Sequence, residues 1–381
     1  MGHFGYFEAG AIGLLQGVAE LFPVSSLGHA VLLPAVIGGS WRRDLNVSAP
    51  ESPYLAFIVA IHVATALALI VYFRRDWVRI VRGLLVSIRD RRIETSEARL
   101  AWLLIIATIP VGIAGLALEH LFRTTLGKPV PAAAFLVVNG VILLAGERLR
   151  RREAVPGAAG GTGFRPGGGL VAPAGLPLQS PSPAPTGLPA PTGLPAPTGV
   201  PATTGLPAAT AEDTMPVVIT PTLARPAPGR VPPVVEDPAE DAADAEARAS
   251  DERLAGLSVR DALIIGGAQI AALAPGISRS GSSLIGGLVR GLSHADAARF
   301  AFLLATPVIL AAGLLKLPDL AGPLGAGVRG QTVVGAVLAG LAAYISVRFL
   351  SYWFETRTVR PFAVYSLVVG ALCLVRFGLF G

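Results

Sequence analysis

Charge is scarce in this chain: 15% of its 381 residues are Asp, Glu, Lys or Arg, while 52% are hydrophobic. With a mean hydropathy of +0.61, the chain is too apolar for a soluble globular protein of this length and belongs in a bilayer. Cysteine is almost missing. The single Cys373 excludes a disulfide framework, and no clustered Cys/His spacing suits a structural zinc. Lys and Arg outnumber Asp and Glu by 31 to 25, but the basic residues fall in short clusters between apolar runs. That is membrane topology and not a nucleic-acid footprint, so no nucleic-acid partner is expected. The opening "MGHFGYFEAGAIGLL" has neither a basic n-region nor a small-residue cleavage site, so it is expected to stay in the protein.

What the chain has is long apolar runs. Six look able to span: Tyr54–Phe73, Leu100–Leu118, Pro131–Gly146 (the short one), Ala297–Lys316, Thr332–Leu350 and Phe362–Phe380. Two further stretches, Phe7–Ile37 and Asp261–Leu292, are interrupted near their middles by Pro, Gly, Ser, His or Arg and read as pairs of half-helices. Arginines from Arg74 to Arg99 crowd the connection after the first span, and "GERLRRRE" follows the third, which makes both connections cytoplasmic and puts both chain ends outside. Residues 154–255 change composition. The repeat "PAPTGLPAPTGLPAPTGVPATTGLPA" and an acidic tract from Glu236 to Glu252 predict a disordered cytoplasmic linker between membrane repeats at 1–153 and 256–381.

An offset of 253 residues lays Gly13 on Gly266, Gln16 on Gln269, Ser25 on Ser278 and Gly28 on Gly281. Each broken segment is followed by three spans. An odd number inverts the second half relative to the first, so the fold predicted is an all-α polytopic membrane protein with an inverted repeat, its site where the breaks meet.

The polar residues in the breaks carry the chemistry. Gln16 and Glu20, four apart, share a helical face, and oxygen ligands at that spacing suit a hard cation, Mg2+ or Ca2+. "PVSSLGH" ends the first half-helix and delivers Ser25, Ser26 and His29, the last close enough in sequence for a hydroxyl–imidazole contact with Ser26. "PGISRSGSS" places Arg279 and the hydroxyls of Ser278, Ser280 and Ser283 at the start of a half-helix, with Gly276 and Gly281 allowing close approach: an anion site, most naturally for phosphate. Plainer roles stand beside these. Gln16 can be a helix–helix hydrogen bond, His29 a packing histidine, and Ser25 and Ser278 helix caps. His62, in mid-span, reads as a helix–helix contact or as part of the site's lining. Pro110 and Pro307 read as kinks.

Both motifs, in this order and context, resemble the undecaprenyl-diphosphatase family of bacitracin-resistance membrane phosphatases. The first family motif is matched by Gln16, Glu20, Pro23, Val24, Ser25, Ser26, Gly28 and His29, and the second by Pro275, Gly276, Ser278, Arg279, Ser280, Gly281 and Ser283. The resemblance implies removal of the terminal phosphate of undecaprenyl diphosphate, recycling the lipid carrier of peptidoglycan synthesis in the bacterial plasma membrane, with the active site toward the outer side. It implies that Glu20 and Gln16 hold or orient the metal, that Ser26 and His29 supply nucleophile and base, and that Arg279 clamps the phosphates with Ser278, Ser280 and Ser283. Gln16 stands where many members carry a second Glu, and Ser283 where Thr is common. Membrane lipid is the surrounding partner, and a homodimer is one assembly the reading allows. The rival reading of the same architecture is a lipid-phosphate flippase without hydrolysis.

Overall fold

The computed structural model describes residues 4–45, 53–121, 125–153, 238–322 and 327–379, and the described residues contain helices and no strand. The first broken segment forms α1 (Tyr6–Ala19) and α2 (Ser26–Ile37), followed by a short α3 (Gly39–Asp44). Then come α4 (Pro53–Tyr72), α5 (Arg74–Asp90), α6 (Ser96–Leu121) and α7 (Pro129–Glu153). After the break in described chain lie α8 (Pro238–Ala255), α9 (Val259–Ala268), a 3-10 turn at Ala271–Leu273, α10 (Arg279–Val289), α11 (His294–Ala321), α12 (Arg329–Thr356) and α13 (Arg360–Leu379). Among the described residues five helices are long and apolar enough to cross a membrane: α6, α7, α11, α12 and α13. The apolar part of α4 meets that criterion together with α5, which turns off it by 87°.

Each expected span corresponds to one of α4, α6, α7, α11, α12 and α13. The third is not short: α7 runs for 25 residues, because Arg, Leu and Glu are strong helix formers and carry the helix past its apolar stretch. The arginine-rich connection is itself a helix, α5. Val78, Val81, Leu85 and Ile88 recur along it at helical spacing and are exposed, the pattern of a helix lying in a membrane interface.

The acidic tract departs from expectation. Residues 238–255 belong to the folded body as α8, whereas residues 154–237 of the expected linker lie outside the described residues. Read alone, the tract is a charge run unable to bury anything. Its partners are arginines remote in sequence: Asp251, 1% exposed, accepts from Arg299 at 2.7 Å and Arg79 at 3.0 Å. Asp76 of α5 joins them through Arg299 at 2.9 Å. Ser250 and Arg253 hold Asp296 of α11 at 2.7 and 2.8 Å, and Leu254 is fully buried. Buried charges survive when paired and hydrogen-bonded in this way.

The first half-helix of each half packs on a middle span of the other: α1 on α12, and α9 on α6. Glycine makes both approaches possible. A Cβ on Gly13 would strike the backbone of Gly335, and one on Gly266, its counterpart at the offset of 253, would strike the backbone of Ala107.

Candidate active site

Both breaks end in a serine cap. Ser25 is the N-cap of α2, with its Oγ accepting the Gly28 N–H at 3.2 Å; Ser278 is the N-cap of α10, with its Oγ accepting the Gly281 N–H at 3.1 Å. The same cap thus recurs at both offset-related positions, and the capping role is what the structure gives these serines. Ser25 Oγ also accepts the Gly276 N–H at 3.1 Å, which stitches one break to the other. A Cβ on Gly28 would overlap Gly276, and one on Gly281 would press Pro23. The breaks therefore abut at their glycines, a packing role beside the anion approach expected of "PGISRSGSS".

Glu20, at the C-terminal cap of α1, is the centre of the cluster and is 6% exposed. One carboxylate oxygen accepts from the Arg279 guanidinium at the start of α10. The other accepts from the Ser26 hydroxyl and from Gln16 Nε2 at 3.0 Å, and lies 3.3 Å from Nε2 of His62 on α4. Four helices thus converge on one acid. Arg279 and His62 retain about a fifth of their side-chain exposure, 22% and 19%, so the cluster is not sealed on every side.

His29 stands apart. Its Nδ1 lies 2.7 Å from the Ser25 carbonyl oxygen and its Nε2 2.9 Å from the Tyr365 hydroxyl of α13, with the two rings stacked. The expected Ser26–His29 contact is replaced, because the Ser26 hydroxyl turns to the stronger acceptor, the Glu20 carboxylate. Ser280 contacts Ser278 Oγ at 3.1 Å and the Phe22 carbonyl at 3.4 Å. Ser283 is buried farther along α10, its hydroxyl without a hydrogen-bond partner among the described residues.

Two contributors lie beyond the motifs. His62 lies against the Glu20 carboxylate as well as the Ile58 carbonyl of its own helix. Asn139, 1% exposed in the middle of α7, donates to the Pro23 carbonyl at 2.9 Å and Ser366 Oγ at 3.1 Å, and accepts the Ser278 N–H at 2.9 Å. It ties both breaks to α13. A polar residue inside the apolar "FLVVNGVILL" was the signal that could have found it.

The donors available to a cation are hard oxygens: the Glu20 carboxylate, the Gln16 amide and the Ser26 hydroxyl. They fit Mg2+ or Ca2+ by type, but a single carboxylate leaves most of the coordination shell to phosphate and water. No group of three or more His, Cys, Asp or Glu gathers into a metal cluster among the described residues.

Comparison with known proteins gives the chain its family. The family model described as bacitracin resistance protein BacA matches residues 9–161 and 238–372, so α8 falls within the matched region. Undecaprenyl-diphosphatase 1 of Frankia casuarinae is 60% identical over 381 residues, covering 100% of both chains. Undecaprenyl-diphosphatase 2 of Frankia alni is 52% identical with 98% of each covered, and the undecaprenyl-diphosphatase of Mycolicibacterium paratuberculosis 49% with 99%. With both motifs meeting at one buried acid and the match running nearly end to end, the chain belongs to the bacitracin resistance protein BacA family.

Proposed function

We propose that this protein hydrolyses undecaprenyl diphosphate to undecaprenyl phosphate and phosphate in the bacterial plasma membrane, recycling the carrier for cell-wall synthesis and thereby conferring bacitracin resistance. The observation that carries this reading is the Glu20 carboxylate, hydrogen-bonded on one oxygen to the Ser26 hydroxyl and on the other to Arg279. A nucleophile, a proton acceptor and an anion clamp therefore share one acid. The site opens to the outer side, on arginine placement.

In the mechanism, Arg279 and the N–H groups at the start of α10 receive the diphosphate and spread its charge over fixed donors. Ser26 Oγ attacks the terminal phosphorus in line while its proton passes to Glu20. The bond to the bridging oxygen breaks, and that oxygen leaves with the electron pair on undecaprenyl phosphate, taking the proton from Glu20. Water then attacks the phosphoserine, gives a proton to Glu20, and Ser26 recovers it as its bond to phosphorus breaks. A cation held by Glu20 and Gln16 would neutralise charge on the phosphate oxygens.

The inverted repeat belongs to the same proposal. Matching serine caps, the paired glycine contacts at Gly13 and Gly266, and the exchange of α1–α12 for α9–α6 all support two halves related by a pseudo-twofold axis. That architecture also suits a lipid-phosphate flippase, but translocation needs only the clamp and not the paired hydroxyl and acid. The test is phosphate release from undecaprenyl diphosphate by the purified protein in detergent. The native protein should release phosphate, EDTA should abolish release and added Mg2+ or Ca2+ restore it, and Ser26→Ala should be inactive with no trapped phosphoenzyme. Native protein that binds the lipid without releasing phosphate would sink the hydrolase.

A further inference from the structure

His29 has no free nitrogen. The Ser25 carbonyl can only accept, so Nδ1, at 2.7 Å, carries the hydrogen and donates it. In that neutral tautomer Nε2 is an acceptor, and the Tyr365 hydroxyl at 2.9 Å donates to it. The proton that a base at this position would remove, that of Ser26, already points to Glu20. The geometry points away from acid–base chemistry at His29 and toward mechanical support.

What it supports is unusual backbone. Ser25 has φ 72° and ψ 99°, and only Arg91 shares a positive φ among the described non-glycine residues. A side-chain-bearing residue holds such a conformation only when its surroundings impose it, and strain of this kind collects at functional sites. Ser25 is held on two sides. Its hydroxyl takes the N–H groups of Gly28 and Gly276, and its carbonyl takes the His29 imidazole as well as the His29 backbone N–H at 3.2 Å. The turn at Ser25 sets the direction of the next residue, which is Ser26.

We propose that Tyr365 and His29 are positioning residues: the chain of contacts from the Tyr365 hydroxyl through the imidazole to the Ser25 carbonyl holds the strained turn that aims the Ser26 hydroxyl at Glu20. This rests on Ser26 being the nucleophile. It assigns a task to α13, a helix outside both motifs, and takes the base role from His29.

His29→Asn separates the two roles, because its side-chain amide keeps a donor near the Nδ1 position and abolishes the base. In purified full-length protein, His29→Asn is expected to stay within about tenfold of native kcat, while His29→Ala loses on the order of a hundredfold, the usual effect of misplacing a reacting group by about 1 Å. Tyr365→Phe, which keeps the stacked ring, is expected to lower kcat by roughly three- to tenfold with KM unchanged. His29→Asn as inactive as His29→Ala while melting like the native protein would restore the base, and native kcat in Tyr365→Phe would leave the tyrosine no role. A readout independent of turnover is the 15N spectrum of histidine-labelled protein. The His29 signal, assigned by its loss in His29→Asn, should show a protonated Nδ1 and an Nε2 resonance that moves in Tyr365→Phe. An unmoved resonance overturns the proposal even if the native protein releases no phosphate, an outcome that would count separately against the hydrolase.

Discussion

At the scale of single residues, the energetics turn on one buried ion pair. Glu20 is tolerable in its apolar surroundings because Arg279, Ser26, Gln16 and His62 all face it. Removing one partner of such a pair leaves an uncompensated charge, which costs about 3–5 kcal/mol. Arg279→Ala should therefore both lower Tm in detergent and cut kcat, by about 10²–10³-fold if the guanidinium stabilises the transferring phosphoryl group. Arg279→Lys keeps the charge without the planar fork, so its Tm should fall less while most of the kcat loss remains. Native turnover in Arg279→Ala would remove the clamp from the mechanism. At this scale the shared faces could be read from sequence. Gln16 and Glu20 lie one helical turn apart, and the spacing puts them on one face; that they bond each other at 3.0 Å is what the structure adds. Tyr365 could not be read, being 336 positions from His29 and looking like any other aromatic in a span. Nor could the choice of Ser26 between an acid and an imidazole, because it depends on where the end of α1 sits.

At the scale of elements, glycine decides which helices meet. The contact of α9 with α6 passes through Gly266, where any side chain would overlap the Ala107 backbone. Backbone on the far side cannot step aside as a flexible side chain can. Gly266→Val should destabilise the fold by about 1–3 kcal/mol or more, read as a lower Tm and a loss of kcat without a selective rise in KM. The same change at Gly267, which has open space around its Cβ position, should be nearly silent in packing and serves as the control. Element identity was legible wherever apolar runs were long, and the two breaks were legible from Pro, Gly and Ser. The helices α5 and α8 were not. Each is rich in charge, and each is ordered by a partner beyond its own segment: the arginines and acids of α5, α8 and α11 neutralise one another. Reading either alone finds a charge run; only their juxtaposition turns two segments of opposite charge into a buried network.

At the scale of the whole molecule, the proline-rich insertion and α8 should behave as different things despite adjoining in sequence. Deleting residues 168–237 leaves every contact described above intact, so kcat and Tm should stay near native. Extending the deletion to 255 removes Asp251 and Arg253, takes the α8 partners from Arg299, Arg79 and Asp296, leaves Asp76 alone to balance both arginines, and should lower Tm sharply. Equal behaviour of the two deletions would mean that α8 contributes nothing to the fold.

The acid at the centre of the site and the guanidinium that balances it are 259 positions apart. During synthesis the ribosome therefore delivers Glu20 to the bilayer long before its counter-charge exists. Until the second half arrives, the newborn chain must keep that carboxylate wet or protonated, so an unfinished copy cannot bury its own acid as the finished one does.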